Sequence, residues 1–216
     1  WDVFGAAFPG VPYFMMGTTR DVSWGLTTGF IDSYDVYIEK LESGNEYLYD
    51  GQKNLLTERT ETISIRNQPE KNIRIRYTEH GPLLEDLCLE LGLDAKKPQG
   101  YGTSLHWALA DVPTSAGALA ELPLAKSSEE FGEKLFENDV CPLVNNIICV
   151  DQGDNLHRFI ATTMEARTGV TGSVPLPGWD SRYTFKRSTR RELTVEVNPS
   201  AGYSVTANND TMGETG

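Results

Sequence analysis

The chain has 216 residues, with 19 basic and 31 acidic side chains, a net charge of −12 and 39% hydrophobic content. That length buries a substantial core, and the acidic balance repels phosphate backbones and anionic headgroups, which argues against nucleic acid or a membrane as partner. No run approaches the roughly 18 apolar residues that a membrane-spanning helix requires.

Trp1 stands where an initiator Met would, and no charged-then-apolar leader follows it, so the sequence reads as a processed or internal piece. Cys88, Cys141 and Cys149 contain no C-x-x-C pair, so they suit neither a disulfide framework nor a zinc pattern. They read as small buried hydrophobes.

Along the chain, residues 12–16 are apolar and aromatic, Arg20-Asp21 is a turn, and 22–28 is β-branched and aromatic, which predicts a hairpin. Residues 35–41 predict a strand, with Val36 and Ile38 on the face opposite Tyr37 and Glu39. Asp50-Gly51 is a tight turn. Residues 62–66 and 72–77 alternate polar and apolar around a Pro-containing turn, an antiparallel pair with one wet face.

Leu84, Leu87, Cys88 and Leu91 recur at helical spacing. A loop at 94–102 precedes a strand at 103–109, and Thr114 or Ser115 caps a helix through Leu119. Ser127 with Glu130 forms a capping box for a helix that buries Phe131 and Leu135. Residues 143–150 and 156–164 flank the turn DQGDN as a second hairpin, 167–181 is irregular, and 193–197 and 203–206 are strands around Asn198-Pro199. No repeat, linker or low-complexity tract intervenes, so 1–216 reads as one sheet-dominated α+β unit.

There is no G-x-S-x-G elbow, H-E-x-x-H helix, Walker loop or complete G-x-G-x-x-G. His80, His106 and His157 read as structural rather than as general bases. Asp32 and Asp35, three apart on a turn, can face one cation together with the Tyr34 carbonyl; calcium takes about six to eight such oxygens. The competing reading is a solvated turn. Asn208 offers an amide donor of the kind that stabilises an oxyanion, or else an Asx-type turn.

The stretch PGVPYFMMGTTRDVSWGLTTGFIDSYDVYIEKL at 9–41 is followed in order by R-x-E-T-I at 59–63, TEHGP at 78–82, Trp107, VDQGDNL at 150–156, VPLPGW at 174–179 and NPSAGYSVTANN at 198–209. Together these resemble the penicillin acylase family, one of the N-terminal-nucleophile amidohydrolases that also include cephalosporin and acyl-homoserine-lactone acylases. The resemblance spans the chain. It implies part of a four-layer αββα sandwich, mostly antiparallel β here, within the β chain of a precursor that cuts itself into α and β chains. The nucleophile would be a Ser upstream of Trp1, its own α-amine acting as base.

By the same resemblance, the Thr28 backbone N–H and the Asn208 side chain form the oxyanion hole, and Met16 lines the acyl pocket where phenylacetyl-specific members carry an aromatic residue. Asp32, the Tyr34 carbonyl and Asp35 match a structural calcium site. Gly172 lies near a further carbonyl ligand, where the family carries Pro. No organic cofactor is implied. The implied partners are the α chain, the rest of the β chain and a small-molecule amide, and the implied location is periplasmic or secreted. The piece alone is expected to be inactive and to self-associate through strand edges. The alternative is a non-catalytic, acidic, β-rich binding or structural module on the same scaffold.

Overall fold

The computed structural model describes the chain except for residues 1, 12, 31–32, 44, 91, 94–97, 111–118, 137–140, 142, 164, 167–171, 184–185, 188–192 and 210–216. Asp32 and most of the helix expected from Thr114 or Ser115 fall outside the described residues. The fold is α+β and mostly antiparallel, as expected.

In chain order the strands are β1 (Phe4–Ala6), β2 (Met16–Thr18), β3 (Val22–Thr28), β4 (Tyr34–Glu42), β5 (Glu46–Tyr49), β6 (Gln52–Leu55), β7 (Thr57–Ile63), β8 (Lys71–Thr78) and β9 (Gly81–Pro82). Helix α1 (Leu84–Glu90) and strand β10 (Tyr101–Trp107) follow, then helix α2 (Ser128–Leu135). The remaining strands are β11 (Asn145–Asp151), β12 (Leu156–Ala161), β13 (Glu165–Ala166), β14 (Leu176–Pro177), β15 (Lys186–Arg187) and β16 (Thr194–Val197). Two compact units share this chain: Trp1–Ser33, Ala108–Ala166 and Lys186–Gly216 form one, Tyr34–Trp107 and Arg167–Phe185 the other. Each unit interrupts the other, so no single linker marks the division in the sequence.

The first unit is built on a sheet in the order β1-β2-β3-β11-β12-β16. Its β2–β3 hairpin matches the expected one, though the first strand begins only at Met16, with Gly17 opposite Trp24. Ser127 is extended, and its Oγ accepts the Glu130 N–H at 3.1 Å, which starts α2 and satisfies one orphan donor. Phe131 and Leu135 then pack with Trp24, Ile147, Cys149 and Phe159 in the core.

Asp151 ties this helix to the VDQGDNL hairpin. One carboxylate oxygen accepts the Ser128 N–H and O–H, each at 2.9 Å; the other accepts Gly153 N–H at 2.9 Å and Asn155 N–H at 3.1 Å. Because the Ser128 hydroxyl hydrogen goes to Asp151, the 2.7 Å contact between Ser128 Oγ and His157 Nδ1 makes the histidine the donor. Burial pushes the Asp151 carboxyl up, but the donors on Ser128 and Asn155 outweigh it and hold the pKa at about 2. The native pKa therefore lies below the unfolded value of about 3.9. The resulting stabilisation is complete above that value and is lost as pH falls towards 2. Asp151→Ala is expected to flatten the stability profile over that acid window, read as unfolding midpoints at stepped pH.

Cys141 and Cys149 are fully buried, and burial pushes both thiols up to about 12. Cys88 is half-buried on α1. A thiol reagent at neutral pH is expected to modify Cys88 in the native protein and the other two only after denaturation; native-state labelling of either would contradict their burial.

The second unit holds a sheet in the order β10-β4-β5-β6, with β14 parallel to β4, and a separate β7-β8-β9 sheet. Asp50 and Gly51 take φ of 49° and 76°, both left-handed, as the tight β5–β6 turn requires. The β7–β8 ladder ends at Ile63 opposite Lys71, earlier than the alternation implied. Asn67 adopts φ of 61° and the Gln68 N–H bonds the Ile65 carbonyl at 3.1 Å, which closes a turn and removes residues 64–66 from the strand.

Two faces carry polar groups inward. On β4 the buried side chains are Asp35, Tyr37 and Glu39, while Ile38 is exposed. On α1 they are Glu85 and Asp86, whereas Leu87 is exposed; Asp86 accepts from the Arg76 backbone and guanidinium at 2.6–2.9 Å and turns the helix accordingly. Residues 203–206, expected as a strand, join no ladder.

Candidate active site

The end of β3 is set up by hydrogen-bond parity. Gly29 N–H bonds the Val144 carbonyl, and Thr28 lies opposite Asn145. In an antiparallel ladder that alternation turns the Thr28 N–H and C=O away from β11, towards the side where β2 would run. The β2 pairing reaches only Gly17 opposite Trp24, so it stops short of Thr28. The Thr28 ladder position is left to side chains.

The chain that fills it comes from the far edge of the sheet. After β16, Asn198 takes φ of 46° and Gly202 N–H bonds the Pro199 carbonyl at 2.9 Å, which reverses the chain. The return arm is held by side chains: Ser204 Oγ donates to Glu196, and the Thr206 and Thr27 hydroxyls meet at 2.7 Å. By strand alternation and register, Thr27, Asn146 and Ile160 lie on the sheet face opposite Trp24, Ile147 and Phe159. At the tip, Asn208 adopts φ of 56°, a left-handed conformation that Asn tolerates better than most residues. Its Oδ1 accepts the Thr28 N–H at 3.0 Å.

The two expected oxyanion groups, 180 residues apart in sequence, are therefore in direct contact. Here they are donor and acceptor to each other. Presenting both N–H groups to one oxygen requires the Asn208 side chain to release Thr28 and turn its NH₂ towards the same point. Both residues are exposed in this chain.

Met16 is 47% exposed. Extending the register by one residue sets it opposite Gly25, about 10 Å along β3 from Thr28. Tyr34 is exposed at the start of β4; Asp35 is 2% exposed and sits opposite His106 on β10. Gly172 has φ of 75°. The Asp35 carboxylate and the Tyr34 and Gly172 carbonyls are hard oxygens of the kind calcium takes. Among the described residues, no three His, Cys, Asp or Glu side chains gather into a metal-sized group. His80 is buried in a network with Glu39, at 2.9 Å, and stacks on Tyr37 at 3.9 Å.

The sequence reading did not single out Asn146. Its signal in the sequence is an amide immediately before the apolar run Ile147-Ile148-Cys149; in the structure it is 0% exposed.

A thermostable penicillin G acylase from Alcaligenes faecalis matches this fold with a TM-score of 0.76 at 22% identity, over 97% of this chain and 36% of that one. The chain thus shares its fold with about a third of that acylase chain. In sequence the chain is 28% identical over 219 residues to the acyl-homoserine lactone acylase QuiP of Pseudomonas aeruginosa, covering 98% of this chain and 26% of the relative. It is 25% identical over 213 residues to the penicillin acylase 2 proenzyme of Pseudomonas sp. (strain SE83), covering 97% of this chain and 26% of the relative. The family model for penicillin amidase matches residues 1–216, and the chain belongs to that family. It spans about a quarter of the length of these two curated relatives.

Proposed function

We propose that this chain is the oxyanion-hole and acyl-pocket part of an amidohydrolase that cleaves a side-chain amide, such as that of a β-lactam or an N-acyl-homoserine lactone. The observation that carries the proposal is the contact between the Thr28 N–H and the Asn208 amide at a ladder position that β2 leaves open. The names of the relatives support the substrate class, and the word proenzyme in one of them supports assembly with other chains of a processed precursor.

In this proposal a Ser outside residues 1–216 attacks the amide carbonyl while its own α-amine takes the hydroxyl proton. The carbonyl oxygen, now negative, takes the Thr28 N–H, and Asn208 turns its NH₂ to the same oxygen. Collapse breaks the C–N bond, and the base returns the proton to the departing amine. Water then hydrolyses the acyl-enzyme by the same sequence. Met16 forms part of the acyl pocket, its flexible thioether accommodating varied acyl shapes. Calcium is proposed as a structural ion at Asp35 and the Tyr34 and Gly172 carbonyls, Asp32 of the expected set lying outside the described residues; it takes no part in a chemical step. A periplasmic or secreted location is part of the same proposal.

The test is amine release from penicillin-type amides and N-acyl-homoserine lactones by the processed full-length protein. Turnover of at least one class is expected, and none by residues 1–216 alone. Failure on both classes would return the chain to a binding or structural role, and turnover by the piece alone would overturn the assignment of the nucleophile.

A further inference from the structure

We propose that Asn146 is a positioning residue that holds the two halves of the oxyanion hole in register, acting through backbone carbonyls and not on the substrate. The inference rests on the reading of Thr28 and Asn208 given above. Asn146 lies on β11 opposite Thr27 and is 0% exposed. Its neighbours Ile147, Ile148 and Cys149 show what that stretch of strand otherwise accommodates. An amide at a buried strand position is disfavoured by propensity and costly to desolvate unless its donors are used.

They are used on both sides of the hole. Asn146 Nδ2 donates to the Thr28 carbonyl at 3.4 Å and to the Asn209 carbonyl at 3.4 Å. Thr28 provides one oxyanion donor, and Asn209 directly follows the residue that provides the other. One side-chain NH₂, with two hydrogens, thus spans from the end of β3 to the tip of the return arm. The Thr28 carbonyl faces the same side as its N–H, where no strand among the described residues pairs with it, so the amide also holds the peptide that β2 does not. The arm is thus held at two points flanking Asn208, by the Thr206–Thr27 hydroxyl pair and by the Asn146 bond to the Asn209 carbonyl, so the Asn208 side chain can exchange the Thr28 N–H for the oxyanion while the arm stays docked.

The test is a double-mutant cycle in the processed full-length enzyme, with Asn146→Ala and Asn208→Ala as the two single changes. Asn146→Ala is expected to lower kcat by up to about 10²-fold, the scale of a 1 Å misplacement, with KM little changed. On the Asn208→Ala background the same change is expected to cost much less, because the group it positions is already gone. Asn146→Asp keeps the volume but has no N–H to donate; it carries the test if the alanine variant does not fold, and an equal loss of kcat is expected. A kcat unchanged by Asn146→Asp, or full multiplication of the two losses, overturns the positioning role while leaving the oxyanion hole intact. A kcat unchanged by Asn208→Ala alone removes the oxyanion reading, and this inference with it.

Discussion

Replacing Asn208 with alanine in the processed full-length protein is expected to lower kcat for amide hydrolysis by about 10²–10³-fold while KM stays nearly level, a barrier increase of about 2.7–4 kcal/mol. The asymmetry follows from where the charge develops. A ground-state carbonyl gains little from the second donor, whereas the tetrahedral oxyanion gains a full charge-assisted hydrogen bond. Asn208→Asp separates this role from a purely structural one. A carboxylate still accepts the Thr28 N–H, so the 3.0 Å contact survives the substitution. It has no hydrogen to give, and it brings negative charge to the oxyanion. The aspartate variant is therefore expected to be at least as slow as the alanine variant; wild-type kcat in Asn208→Asp would reduce the residue to a tether.

Glu39→Ala is expected to destabilise the protein by about 3–5 kcal/mol, measured as a fall in the denaturant midpoint. The Glu39 side chain is fully buried, and its Oε1 accepts from Thr78 Oγ1 at 2.8 Å, Ser104 Oγ at 2.6 Å and His80 Nδ1 at 2.9 Å. Burial pushes the carboxyl up, but His80, Ser104 and Thr78 together bring it below the usual glutamate range. Truncation leaves these three buried donors facing a cavity. Oε2 has no hydrogen-bond partner among the described residues and abuts Gly178, where a Cβ would come within 2.3 Å of it. That closeness explains the glycine in VPLPGW: Gly178 N–H bonds the Ile38 carbonyl at 2.9 Å, which lays this segment against β4. Glu39→Gln retains an acceptor oxygen for the three donors and is expected to cost less than the alanine change. Equal midpoints for Glu39→Ala and the wild type would show that the network contributes nothing net.

Period and punctuation made much of this architecture legible. The capping box at Ser127, the Asp50-Gly51 turn, and the strands on either side of DQGDN are local chemistry, and each is where the sequence places it. What was hidden depends on distant partners. The inward face of β4 carries Asp35, Tyr37 and Glu39 because donors from residues 78, 80 and 104 converge on Glu39, and no window around β4 contains them. Likewise α1 turns Asp86 inward because Arg76 stands on β8, against the preference of its leucines. Residues 203–206 have strand-like composition but join no ladder, and an unmet partner leaves no mark in composition. At the site, the residues themselves marked Asn208 as an amide donor or a turn, but Thr28 was legible only through family resemblance, since the parity that leaves its N–H open depends on where β2 stops.

The absence of a ladder along 203–209 has a consequence for timescale. Opening a sheet strand breaks a cooperative row of backbone bonds, whereas this arm meets the sheet through side-chain contacts at Ser204, Thr206, Asn208 and Asn146. It can detach as its own sub-global unit, at a free energy well below that of unfolding β11 or β12. Its backbone amides are therefore expected to exchange with solvent deuterium ahead of those of β11, and a ligand that engages Asn208 should slow them selectively. The half of the oxyanion hole that must reorient is thus mounted on the part of this unit that opens at low cost, while Thr28 stays on the sheet.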